Sequence, residues 1–124
     1  MTPSVVADAG GILVFSGALE GQAPAGVEVL ALDWATVTVG RLLALRHEGH
    51  EPRWRREVGL AIASVDEWFP VRTLVADALQ RAGLAAIDAL DSWSAVVLAE
   101  QLDVPLLTAS DEVSSTSIEI YRPW

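Results

Sequence analysis

Three places along this 124-residue chain hold residue types that could do chemistry. The first is Asp8, which closes the apolar run Val5 to Ala7 and is followed at once by Gly10 and Gly11. The second is LAEQLDVPLLTASDEV, residues 98–113, where an apolar run stops on Thr108 and gives way to Ala109, Ser110 and Asp111. α/β proteins gather ligands just beyond the carboxyl ends of their strands, and a metal-dependent nuclease would want a carboxylate there. The third is PRWRRE, Pro52 to Glu57. Arg53, Arg55 and Arg56 could meet phosphates, with Trp54 stacking on a base or an arginine. The same pattern, set beside acidic residues, also reads as a solvated helix face. His47 and His50 are three apart, but Gly49 lies between them and the chain has no cysteine, so a zinc site is disfavoured and His47 reads as a helix-end residue.

Composition narrows the choice. Seventeen acidic residues against eight arginines and no lysine leave a formal charge of −9. Such a chain repels phosphate backbones and anionic membrane surfaces at long range, so RNA as a partner is disfavoured. A metal-dependent nuclease survives that test, because cations bridge its carboxylates to the phosphate. The lack of cysteine removes disulfides, thiolate zinc sites and cysteine nucleophiles. Apolar residues make up 52% of the chain and the mean hydropathy is +0.36, so a generous core is expected. The length suits one domain over residues 1–124, burying about two-thirds of the surface its unfolded chain exposes. No apolar stretch is long enough to span a bilayer, and the expected setting is the cytoplasm, away from membranes.

The elements that must position those residues follow from apolar runs and their punctuation. Val5 to Ala7 predicts a buried strand ending at Asp8, then a tight turn and a helix over 12–19. Gly21 to Gly26 is a loop, and Val27 to Leu32 a short strand or a helical turn. Asp33 is placed to cap a helix carrying Val37, Leu42, Leu43 and Leu45, which stops near Gly49. Pro52 fits the first turn of a helix over 53–63. Asp66 to Pro70 reads as a break, which makes Trp68 and Phe69 candidate exposed interface residues. Thr73 is placed to cap a helix that ends at Gly83. Ala86 or Ile87 opens the strongest helix, running to about Leu102 with Trp93 on it as a core residue. Val104 to Leu107 and Ser117 to Tyr121 are strand-like. Strands separated by helices imply parallel crossovers, hence an α/β fold with a central mostly parallel sheet covered on both faces.

Strand one ending on Asp8, LDWATVTVGRLL leading into a middle helix, and AVVLAEQLDVPLLT at 95–108 together resemble the PIN domain family over nearly the whole chain. The resemblance implies a three-layer α/β/α sandwich, often dimeric. It also implies Mg²⁺- or Mn²⁺-dependent ribonuclease chemistry, in many members as a bacterial toxin neutralised by an antitoxin. That chemistry takes about three or four carboxylates from distant parts of the chain. Carried over residue by residue, the first acid is Asp8, and Gly10 stands where a small polar residue is usual. The second falls on Thr38, the third on Ser92 and the fourth on Ser110. Three of the four acids are replaced by hydroxyl residues.

Asp91 and Asp111 each sit one residue from a vacated position. One residue on a helix is a rotation of about 100°, which is expected to turn Asp91 away from where Ser92 points. Asp88, four residues before Ser92, shares its face about one turn lower. As structural residues, Asp8 would cap a helix, while Asp88, Asp91 and Asp111 would serve the negative-at-N-terminus preference of theirs. Two functions follow. One is a catalytically degenerate PIN-like domain kept as a protein-interaction or regulatory module, with a protein partner or a second copy and no cofactor. The alternative is an active Mg²⁺- or Mn²⁺-dependent ribonuclease, possibly a toxin, using Asp8 as metal ligand with Asp88 or Asp91 and Asp111.

Overall fold

A computed structural model describes residues 2–84 and 87–124, with side chains at all of these except 87 and 88. The order of elements is β1 (Ser4–Ala7), α1 (Ala9–Ser16), β2 (Glu28–Leu32), α2 (Ala35–Arg46), α3 (Glu51–Ala63) and β3 (Glu67–Phe69). A 3-10 turn (Val71–Thr73), α4 (Val75–Ala82), α5 (Ile87–Leu102), β4 (Leu106–Leu107) and β5 (Ile120–Tyr121) complete the described chain. The five strands form one parallel sheet in the order β3-β2-β1-β4-β5. Strand β1 therefore sits in the middle, and Asp8 leaves its carboxyl end.

Side-chain alternation along the strands divides the interior into two large cores, with a smaller third cluster of Val5, Val14 and Leu107. Val6, Leu30, Leu32 and Leu106 pack with Ala95 to Ala99 of α5 and with Leu74. Ala7, Val29 and Ala31 face the other way, onto Ile12, Val39, Leu43 and Ala61 of α1, α2 and α3. Helices thus cover both faces, as a parallel sheet requires, and the architecture is the expected α/β/α sandwich. No helix among the described residues is long and apolar enough to cross a membrane.

Local structure departs from the sequence expectation in several places. Helix α1 starts at Ala9 rather than three residues later, because the Asp8 carboxylate accepts the Gly11 N–H at 2.8 Å and caps the first turn. The two glycines belong to the helix for a packing reason. A Cβ on Gly11 would lie 2.3 Å from the Leu107 carbonyl oxygen, and one on Gly10 would lie 2.6 Å from the Ala109 methyl. Asp33 does not cap α2; its carboxylate accepts the Val71 N–H at 3.1 Å and ties the loop before α4 to the end of β2. Thr73 falls in the 3-10 turn and makes no capping bond, and α4 begins at Val75.

The segment expected to break the pattern is instead the edge strand β3. It pairs Glu67, Trp68 and Phe69 with Leu30, Ala31 and Leu32. Trp68 packs against the core under α1–α3 and Phe69 against the core under α5, so neither is the exposed interface residue expected of a loop. Strand periodicity sends them to opposite faces, and three residues before a proline are too few for that period to be recognised. Strands β4 and β5 are also shorter than expected. Helix α5 begins at Ile87, and the alternative start at Ala86 lies outside the described residues. Trp93 packs against the α5-side core.

Candidate functional site: a hydroxyl-lined cleft at the end of the central strand

The carboxyl end of β1, the first turn of α1, the amino-terminal parts of α2 and α5 and the loop after β4 meet around a cleft of about 150 Å³. All four positions carried over from the family pattern, Asp8, Thr38, Ser92 and Ser110, line it. Three of them are separated in sequence by tens of residues and converge because α2, α5 and β4 all present these ends at the central strand.

Asp8 is buried, at 2% exposure. One carboxylate oxygen, Oδ1, accepts the Gly11 N–H at 2.8 Å. The other, Oδ2, accepts the Ser92 hydroxyl at 2.7 Å and the hydroxyl of Thr108. Burial pushes the Asp8 carboxyl above the ordinary carboxylate value. The hydroxyls of Thr108 and Ser92 and the backbone N–H groups of Gly11 and Ala109 oppose that shift. A carboxylate offers about four lone-pair sites, and neutral protein donors occupy most of those on Asp8. The residue is thereby a clasp joining β1, α1, β4 and α5.

Asp91 also lines the cleft and is buried at 2% exposure. The sequence expectation that it would turn away from Ser92 is corrected here. Its Oδ2 accepts the Ala9 N–H at 2.8 Å, while Ser92 donates to Asp8. The helical rotation is real, but consecutive residues of α5 meet consecutive residues of the β1–α1 junction, so both side chains reach the cleft.

Thr38 is equally buried, and its hydroxyl has no hydrogen-bond partner. An unpaired buried hydroxyl costs about 1–3 kcal/mol. Ser110 is only partly buried; its backbone N–H donates to Thr108 Oγ1 at 3.0 Å and its own Oγ accepts the Glu112 N–H at 3.2 Å. Arg122 holds this loop by donating to the carbonyl oxygens of Ser110 and Val113. Asp111 is exposed and does not line the cleft. The side chain of Asp88 lies outside the described residues.

The other candidates lie elsewhere. Arg55 pairs with Glu51 at 2.7 Å and sits over the Trp54 ring at 5.3 Å, and Arg53 approaches Glu57 at 3.6 Å. Trp54 packs against the α1–α3 core, which leaves its ring little freedom to stack on a base. Arg53 and Arg56 line a separate shallow groove on α3. His47 Nε2 meets Glu57 Oε2 at 2.6 Å and joins the end of α2 to α3.

Sequence reasoning missed the donor role of the Thr108 hydroxyl, although its place at the end of the strand beside β1 was a usable signal. It also missed Leu42, which lines the cleft one turn after Thr38.

The donor set at the cleft does not fit a Mg²⁺ or Mn²⁺ ion. Such ions favour several carboxylate oxygens, whereas two carboxylates line this cleft and each already accepts backbone or hydroxyl hydrogens. No group of three or more His, Cys, Asp or Glu among the described residues is disposed to hold a metal ion.

No family model matches the chain, and no curated protein matches it in sequence. Among solved structures it is similar to the crystal structure of VapBC2 from Rickettsia felis bound to a DNA fragment from their promoter. The likeness covers 96% of this chain and 98% of the other, with a TM-score of 0.56 and 7% identity. At that identity the likeness is one of fold, and it supports a PIN-like fold for this chain.

Proposed function

We propose that this PIN-like domain is catalytically degenerate and serves as a protein-interaction or regulatory module, with no divalent-metal cofactor. The observation that carries this reading is the state of Asp8. The one acid of the family pattern still present has its oxygens engaged by Ser92, Thr108 and Gly11, two of them through hydroxyl groups. Replacing acids by Thr38, Ser92 and Ser110 removes the charge that a divalent ion needs. It also supplies donors that turn a ligand into a structural acceptor. The likeness to VapBC2 supports a protein partner. A net charge of −9 favours a partner with a basic face over RNA.

One observation favours a second reading. Asp91 stands on the same cleft as Asp8, so two carboxylates are within reach of an active Mg²⁺- or Mn²⁺-dependent ribonuclease, such as a toxin. Calorimetric titration with magnesium or manganese chloride, paired with an RNA cleavage assay, separates the two. We expect no binding that depends on Asp8 and no metal-dependent cleavage. Divalent-ion binding and cleavage that both vanish in Asp8→Asn, with the variant shown to be folded by circular dichroism, would establish the nuclease instead.

A further inference from the structure

We infer that the outer face of α3, centred on Arg53, Arg56 and Leu60, is a docking site for an acidic protein segment that carries an apolar side chain. The inference rests on reading this domain as a protein-interaction module, and it names one surface and the chemistry of the segment that the surface receives.

Charge is unevenly divided along the chain. The stretch 35–63, which is α2 and α3 with the turn between them, holds five of the eight arginines and only three of the seventeen acids, a net charge of +2. The rest of the chain carries −11. Two of the three acids in this stretch are already engaged: Glu51 pairs with Arg55 at 2.7 Å, and Glu57 meets His47 at 2.6 Å. Arg53 approaches Glu57 only to 3.6 Å and keeps a side chain that is 62% exposed. Arg56 is exposed and makes no ion pair or side-chain hydrogen bond among the described residues. Both guanidinium groups therefore retain free donors.

The surface beside them has shape and apolar content. Pro52, Arg56 and Leu60 are spaced four residues apart, so they share one side of α3. All three are exposed, Leu60 at 59%. Pro52, Arg53, Arg56 and Glu57 line a groove of about 400 Å³. Glu57 and Leu60 line a second groove, of about 180 Å³, with Ser16, Gly17 and Ala18 at the end of α1. Glu57 is common to both, so the two adjoin along α3.

An extended segment in these grooves can place carboxylates against the paired N–H donors of Arg53 and Arg56 and an apolar side chain against Leu60. Fields fall off over about 8 Å at physiological ionic strength, so a short segment feels chiefly the charge of the hairpin. Nucleic acid extends beyond it onto the acidic remainder, and Leu60 adds nothing to a contact with phosphate. A second copy carries its own charge of −9 and would meet this face head to tail, a contact that leads to rings or filaments. A separate acidic protein segment is the occupant that charge and shape favour. The acidic remainder stays open to a partner's basic face.

The test is selection of a random peptide library on phage against the whole protein at physiological salt, then fluorescence anisotropy of the selected peptides. Enriched peptides should combine aspartate or glutamate with large apolar residues. Arg56→Glu should weaken them by about tenfold and Leu60→Ser by about fivefold. Arg72→Glu, at an exposed arginine of the 3-10 turn, should leave them unchanged. All three positions are exposed, and circular dichroism checks that each variant is folded. A library that yields no acidic peptides, or acidic peptides indifferent to Arg56→Glu, overturns the α3 site while leaving the protein-interaction reading intact. Binding of labelled oligouridylate, or concentration-dependent assembly in sedimentation, that is lost in Arg56→Glu overturns it in favour of RNA or a second copy. Metal-dependent RNA cleavage lost in Asp8→Asn overturns the interaction reading itself.

Discussion

The two ends of α5 each meet a carboxylate, and the two meetings have opposite electrostatic outcomes. At the amino-terminal end, Ser92 donates to Asp8, whose identified donors are all uncharged and which burial drives above the ordinary carboxylate value. At the carboxyl-terminal end, Glu100 accepts Arg81 at 2.5 Å and the Ser115 hydroxyl at 2.6 Å. There the guanidinium, helped by the hydroxyls, holds the carboxyl below its ordinary value despite partial burial. Both acids have serine donors, so hydroxyl groups do not make the difference. A nearby cation and access to solvent do. Glu100 closes the seam between α4 and α5 in the ordinary way, whereas Asp8 is held in the interior by neutral donors.

The comparison predicts unequal losses. Asp8→Ala strips the acceptor from the Ser92 and Thr108 hydroxyls and the Gly11 N–H, all at the centre of the sheet. We expect a loss of about 3 kcal/mol, read from urea midpoints at unchanged slope. Glu100→Gln leaves a neutral acceptor for Ser115 and weakens a partly exposed ion pair, for a loss of about 0.5–1 kcal/mol by the same measurement. An Asp8→Ala loss no greater than that of Glu100→Gln would mean that Asp8 is not the clasp described, and the contrast between the two ends would fail.

The regions differ as well in how far their sequences revealed them. Strand β1 and the helices up to α5 were legible because apolar runs are bounded by Gly and Pro, while Val27 to Leu32 was left between strand and helical turn. Strand β3 was not legible, since Glu67 to Phe69 spans barely one period and its pairing with β2 is supplied by the sheet. The convergence of Thr38, Ser92 and Ser110 on Asp8 could be expected only through the family resemblance, because the Asp8–Ser92 bond closes 84 residues. The approach of Asp91 was hidden by treating the target of α5 as a point. In the fold it is a segment, Asp8 followed by Ala9, and adjacent helix residues can each find a partner on it. The unpaired hydroxyl of Thr38 had no sequence signature, since satisfaction of a buried group is decided by tertiary neighbours.

The smallest effect concerns pH, where the two ends should act with opposite sign. The Asp8 carboxyl in the folded protein lies above its ordinary value of 3.8, so the native state holds that proton more readily than the unfolded chain. Its contribution to stability is greatest in acid and is lost as pH rises through the folded value. Glu100 lies below its ordinary 4.5, so its contribution is present above that value and is lost as pH falls through the folded one. Urea midpoints measured between about pH 3 and pH 6 should therefore fall more steeply with acid in Asp8→Asn than in the wild type, because the opposing gain is gone. In Glu100→Gln they should fall less steeply. The direction in which each slope changes is the readout. Parallel curves for wild type and Asp8→Asn would show that the hydroxyl and backbone donors offset burial completely, and Asp8 would then resemble Glu100 in its proton affinity while lacking an identified cationic donor.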